Sequence, residues 1–123
     1  MNRIAMLALG AALLAAGSAQ AQAQAQAQDK VMSDDVRCVI TMTQLLKNPA
    51  YKEMAGVATF YFAGRIEGRD PAFDLTKAMH REIGNMSARD YSPEAKRCGE
   101  ALAARNAALK AAGESLQPRG VGR

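Results

Sequence analysis

The chain has no tryptophan, one histidine and two cysteines among 123 residues. So sparse a set of soft ligands excludes the CxxC, HxxxH and finger-type spacings of zinc sites, and no acidic calcium loop is present. Without CxxC there is no thioredoxin-like redox centre. None of Ser33, Ser87, Ser92 or Ser115 sits in a GxSxG elbow, and no glycine-rich phosphate cradle occurs. His80 falls on the flank of an apolar helical face beside Lys77 and Gly84, which reads as a surface or rim position. These absences point to a protein that is not an enzyme and uses no metal or cofactor.

Charge of one sign is also scarce. The formal net charge is +4, and Lys and Arg alternate with Asp and Glu along the chain. That pattern lacks the concentrated basic face of a nucleic-acid binder. The longest apolar run, Ile4 to Ala16 with Gly10 inside it, is 13 residues, too short to span a bilayer. No cysteine follows it, so a lipid-anchored lipoprotein is not expected.

What is present at the N-terminus has the order of an export signal: Arg3, the apolar run, then small residues ending in Ser18-Ala19-Gln20-Ala21. Residues 1–21 are expected to be a cleavable signal peptide. Cleavage after Ala21 is the first choice, and Ala23, Ala25 and Ala27 offer the same Ala-x-Ala pattern. Residues 22–29, an Ala/Gln repeat with nothing to bury, read as a flexible leader. Removing 21 of the 123 residues leaves 102, enough for one modest domain, and losing Arg3 leaves 15 basic against 12 acidic residues. A periplasmic or secreted location follows from the signal, with no transmembrane segment in the mature chain.

The punctuation divides residues 30–117 into four helices. Ser33 offers an N-cap ahead of Asp34 and Asp35, and the first helix runs to about Lys47, before Asn48-Pro49. Its polar positions, Asp34, Arg37, Thr41 and Gln44, form a narrow wet stripe on a helix expected to be mostly buried. The second helix, from about Ala50 to Glu67, is apolar almost all round and reads as the central core helix, closed by Gly68. Asp70-Pro71 and Ser92-Pro93 each combine a cap with a proline suited to a first turn. The third helix presents Leu75, Met79, Ile83 and Met86, and ends between Gly84 and Ala88. The last, Pro93 to Leu116, carries a seam of Cys98, Leu102, Arg105, Leu109, Ala112 and Leu116. Arg105 interrupts the seam, either snorkelling to its rim or meeting a carboxylate. Residues 118–123 read as a disordered tail.

In an oxidising compartment, Cys38 and Cys98 favour one intramolecular disulfide. The alternatives are two buried thiols or an intermolecular bridge. A loop of about 60 residues implies roughly 4 kcal/mol in the chain-entropy account. The fold class expected is all-α: a small irregular four-helix bundle with one disulfide. Val57, Phe60, Tyr61 and Phe62 admit two readings, core packing or an apolar surface for a partner or ligand. The methionines divide the same way, between core filling and an adaptable surface.

The layout resembles that of HdeA-type periplasmic acid-stress chaperones. It shares an export signal, a small helical chain, one cysteine in an early helix and one opening the late helix, with Gly56-Val57 through Arg65-Ile66 to Asp70-Pro71 between them. Tyr61 to Pro71 is also similar to small exported proteins without assigned activity. The chaperone resemblance implies unfolded client proteins as partners, or else a periplasmic protein partner, and a fold that loosens in acid. Candidate acid triggers are Asp34, Asp35, Asp70 and Glu94, whose charged forms helix starts and capping bonds favour. A non-enzymatic module that binds a protein or a ligand is the alternative function.

Overall fold

The computed structural model describes the backbone of residues 8–116 and the side chains of residues 17–116. Four helices occur in the order α1 (Ala8–Leu45), α2 (Lys52–Arg69), α3 (Leu75–Asn85) and α4 (Tyr91–Leu116). No strand occurs among the described residues. The all-α class, the four helices and the Cys38–Cys98 disulfide therefore stand as expected. The tail expected at residues 118–123 lies outside the described residues.

Two units divide the chain, Met1–Ser33 and Asp34–Arg123. In the first, the Ala/Gln stretch 22–29, expected as a flexible leader, is helical and exposed. Alanine is the strongest helix former and glutamine a good one, so the repeat extends a helix without burying anything. Ser33 consequently lies inside α1 and caps nothing, and Asp34 and Asp35 are mid-helix residues, away from any helix start.

In the second unit the core is built on α1, where Val36, Cys38, Val39, Ile40 and Met42 are buried. Opposite them stand Ala55, Ala58, Phe62 and Ile66 of α2, Ala78 of α3, and Cys98 and Leu102 of α4. The α2 residues recur at three- and four-residue spacing, so one face of that helix is buried and the opposite face is wet. This corrects the expectation of a helix enclosed all round: Val57 is 59% and Phe60 83% exposed. Among the described residues, eight buried apolar residues of α1, α3 and α4 stand against the buried side of α2.

Three further expectations change. Asp70 ends α2 as its C-cap instead of opening α3. The N-cap of α3 is Asp74, whose carboxylate accepts from the Lys77 backbone N–H at 2.9 Å. The buried line of α3 is Ala78 and Glu82, with Ile83 turned outward, because arginine partners draw the Glu82 carboxylate inward. The α4 seam meets the core only at Cys98 and Leu102. From residue 103 onward, Arg105, Leu109 and Leu116 included, α4 is exposed.

Candidate functional site

Three features of the second unit bear on function: a set of carboxylate–arginine pairs, the outer face of α2, and a cleft at one end of the bundle. Asp35, Glu82 and Glu94 each join another helix to α1. Asp35, 3% exposed, places its Oδ2 2.5 Å from Arg69 Nη1 and 3.2 Å from Arg65 Nε, which ties α1 to α2. Arg65 is held in place by the rings it covers, 5.5 Å from the Tyr61 centroid and 5.8 Å from that of Phe62. Glu82, 5% exposed, accepts from Arg37 Nε at 2.9 Å, which ties α1 to α3, and Arg81 Nε lies 3.5 Å from its other oxygen. The bond to Glu82 raises the Arg37 pKa above the ordinary arginine value.

Glu94 links α4 to the same group. Arg97 binds it through Nε at 2.9 Å and Nη2 at 2.6 Å, and Arg37 Nη1 stands 3.7 Å from its other oxygen. The same Arg97 Nη2 donates to the Asp34 carbonyl at 2.8 Å and lies 3.2 Å from Cys38 Sγ. A guanidinium thus caps the buried disulfide, whose Cα atoms are 5.6 Å apart across 60 positions. Cys38, Cys98 and Glu94 form a trio close enough to ligate a metal, but both sulfurs are bonded to each other.

Of the four carboxylates proposed as acid triggers, the structure brings Asp35 and Glu94 into this cluster. Asp34 contributes its carbonyl. Asp70 is exposed and caps a turn, accepting from Ala72 N at 3.0 Å. Sequence reasoning missed Glu82 and the arginine partners. A signal for them existed: Glu82 interrupts an apolar helical face, and Arg65 and Arg69 repeat at the edge of another.

A separate turn precedes α4. Asp90 accepts from the Ser87 backbone N–H at 2.6 Å and from its hydroxyl at 2.8 Å, and these bonds hold the Asp90 carboxyl below the usual carboxylate range. Of the candidate interaction residues, Val57 and Phe60 lie on the outer face of α2, Tyr61 is half-buried and Phe62 is fully buried. The four do not form one surface. His80 is exposed on α3, as expected for a surface position.

The cleft opens where the end of α1 meets the starts of α2 and α4. It has a volume of about 810 Å³, with Leu45, Tyr51, Met54, Tyr91 and Ala95 among its walls. No helix among the described residues is long and apolar enough to cross a membrane. No protein-family model, curated protein or solved structure matches this chain.

Proposed function

We propose that the chain is an exported, non-enzymatic stress chaperone that holds unfolded client proteins when its surroundings turn acidic. The observation that carries this reading is the attachment of α2, α3 and α4 to α1 through the carboxylates of Asp35, Glu82 and Glu94, each facing two arginines. Protonating these acids removes the negative half of the cluster and leaves Arg37, Arg65, Arg69, Arg81 and Arg97 charged at close quarters. The helices then part, while the disulfide still joins α1 to α4. The apolar residues released include Phe62 and Ile66, next to Val57 and Phe60, which are exposed already. Export is supported by the order of the N-terminal signal and by a cystine of the kind that oxidising compartments preserve.

A light-scattering assay of an aggregating client, run with the mature chain from pH 7 to pH 2, tests the proposal. Aggregation should be suppressed only where a polarity-sensitive dye reports opening, and both changes should reverse on neutralisation. A protein that stays closed at pH 2, or opens without protecting a client, defeats it. The second reading, an interaction module working in the closed state, is favoured by Phe60 being 83% exposed at the middle of a helix. It predicts partner binding at pH 7 that Phe60→Ala abolishes.

A further inference from the structure

Glu94 and Cys98 lie four residues apart on α4, so their side chains leave the same face of that helix. Cys38 meets them from α1. One ligand atom from each of the three, the two sulfurs and a Glu94 carboxylate oxygen, lies within 4.8 Å of the others. Both cysteines are 0% exposed, and the Glu94 side chain is 15% exposed. Two donors at i and i+4 on one helix, with a third from a facing helix, is an arrangement that metal sites in helical proteins use. Sequence spacing hides it, because 60 positions separate the two cysteines.

The place is already fitted to a positive charge. Arg97 Nη2 stands 2.6 Å from Glu94 Oε2, 2.8 Å from the Asp34 carbonyl oxygen and 3.2 Å from Cys38 Sγ. While the sulfurs are joined, Glu94 is the one anion of the trio, and Arg97 balances it. Reduction changes that balance. A dithiol reductant gives the cystine two electrons and two protons, leaving two thiols here and a disulfide in the reductant. Once both thiols ionise, the trio carries three negative charges against the single charge of Arg97, since Arg37 is bonded to Glu82. Burying such an excess is costly. A divalent cation that displaces the two thiol protons brings the charge of the group to zero. The Arg97 side chain is 40% exposed, so it can turn towards solvent and keep a bond to Glu94 as the metal takes its place.

We propose that Cys38, Cys98 and Glu94 bind a zinc ion when the disulfide is reduced, so that a metal takes over the link between α1 and α4. Two thiolates call for a borderline-soft metal, and the carboxylate disfavours copper(I), which leaves Zn²⁺ as the match. Zinc is tetrahedral, and two Zn–S bonds of about 2.3 Å set the sulfurs about 3.8 Å apart. The Cα atoms are 5.6 Å apart, so rotation about the two Cα–Cβ bonds supplies that separation. Water completes the tetrahedron. Binding belongs to the reduced protein at neutral pH, and it stands apart from the acid-dependent chaperone reading.

The test uses the mature chain reduced with dithiothreitol, freed of it by anaerobic gel filtration, and titrated at pH 7 with Co²⁺ and then Zn²⁺. Cobalt should give a thiolate charge-transfer band and tetrahedral ligand-field bands at one ion per chain, and one equivalent of zinc should remove them. The oxidised chain should show neither band. Glu94→Gln should weaken zinc binding at least about tenfold, Cys98→Ser should abolish one-to-one binding, and His80→Ala should change nothing. Zinc-edge X-ray absorption should count two sulfur donors and two lighter ones. Cobalt bands in the oxidised chain, affinity unchanged in Glu94→Gln or lost in His80→Ala, or four sulfurs around a zinc shared between chains, overturns the proposal. If the reduced chain loses its helical circular dichroism, zinc should restore it. Binding that leaves the chain unfolded is chelation by loose thiols, which overturns the proposal as well. If Glu94→Gln does not fold, the donor count in the parent decides.

Discussion

Replacing Asp35 by asparagine changes its charge and almost nothing in its volume, which isolates the electrostatic part of its role. Arg65 and Arg69 would then face a neutral amide in a setting where Asp35 is 3% exposed. Removing one partner of a fully buried pair costs about 3–5 kcal/mol. Both arginines here are about one-third exposed, so solvent shields them and the expected loss falls to about 2 kcal/mol. A urea titration at pH 7 measures it, and a change below about 0.5 kcal/mol would remove Asp35 from the account. Asp90 offers a titration at the same scale. Its folded pKa is depressed by the bonds from Ser87, so the stability it contributes is present above the unfolded value of about 3.9 and is lost as pH falls through the lower folded value. In Ser87→Ala the backbone donor stays and the hydroxyl goes, so the NMR-detected pKa of Asp90 should rise part of the way towards the ordinary carboxylate value. An unmoved titration curve would contradict the bond at 2.8 Å.

At the scale of the element, α2 separates two phenylalanines that composition treats alike. Phe62 is fully buried against Tyr61, with ring centroids 5.0 Å apart, whereas Phe60 is 83% exposed. Phe62→Ala should cost about 3–5 kcal/mol and Phe60→Ala less than about 0.5 kcal/mol, measured by thermal or chemical unfolding. Equal losses would mean that the outer face of α2 is covered in solution. The helices themselves were legible: Asn48-Pro49, Gly68, Asp70-Pro71 and Ser92-Pro93 mark the breaks to within a few residues, because capping and proline chemistry are local. Which face each helix buries was less so. An apolar stretch such as Met54 to Gly64 has no dominant side, and its orientation is settled by partners that carry no local signature. The Ala/Gln repeat shows the reverse error, since its low complexity suggested a coil where alanine propensity makes a helix. Thr41 read as part of a wet stripe by spacing alone, whereas it is 2% exposed.

For the molecule as a whole, the disulfide is a covalent link between α1 and α4 that protonation leaves untouched. Cys38→Ser or Cys98→Ser should lower stability by up to about 4 kcal/mol, read from the urea midpoint, with the larger effect on recovery after exposure to acid. If the variant recovers from pH 2 as completely as the parent, the bond contributes nothing to reopening and closing. The cysteine pair was readable from two residues and a compartment. In the arginine cluster beside it single members left a local trace but the pairing did not, because Asp35–Arg65, Arg37–Glu82 and Arg97–Asp34 join residues 30 or more positions apart.

The outer half of α4 sets a different clock. Up to Leu102 the helix is fixed by the disulfide and the core, but the fourteen residues that follow are exposed on every side and rely on contacts within the helix, such as Lys110 with Glu114. A free helix of that length is marginal in water, since nucleation is costly and short segments fray. Amide protons of residues 106–116 should therefore exchange with deuterium through local opening, while those of residues near Cys98 wait for the whole unit to unfold. Within one unbroken helix, the lifetimes of successive backbone hydrogen bonds should fall by orders of magnitude beyond Leu102, which makes α4 a ruler along which the reach of the core can be timed.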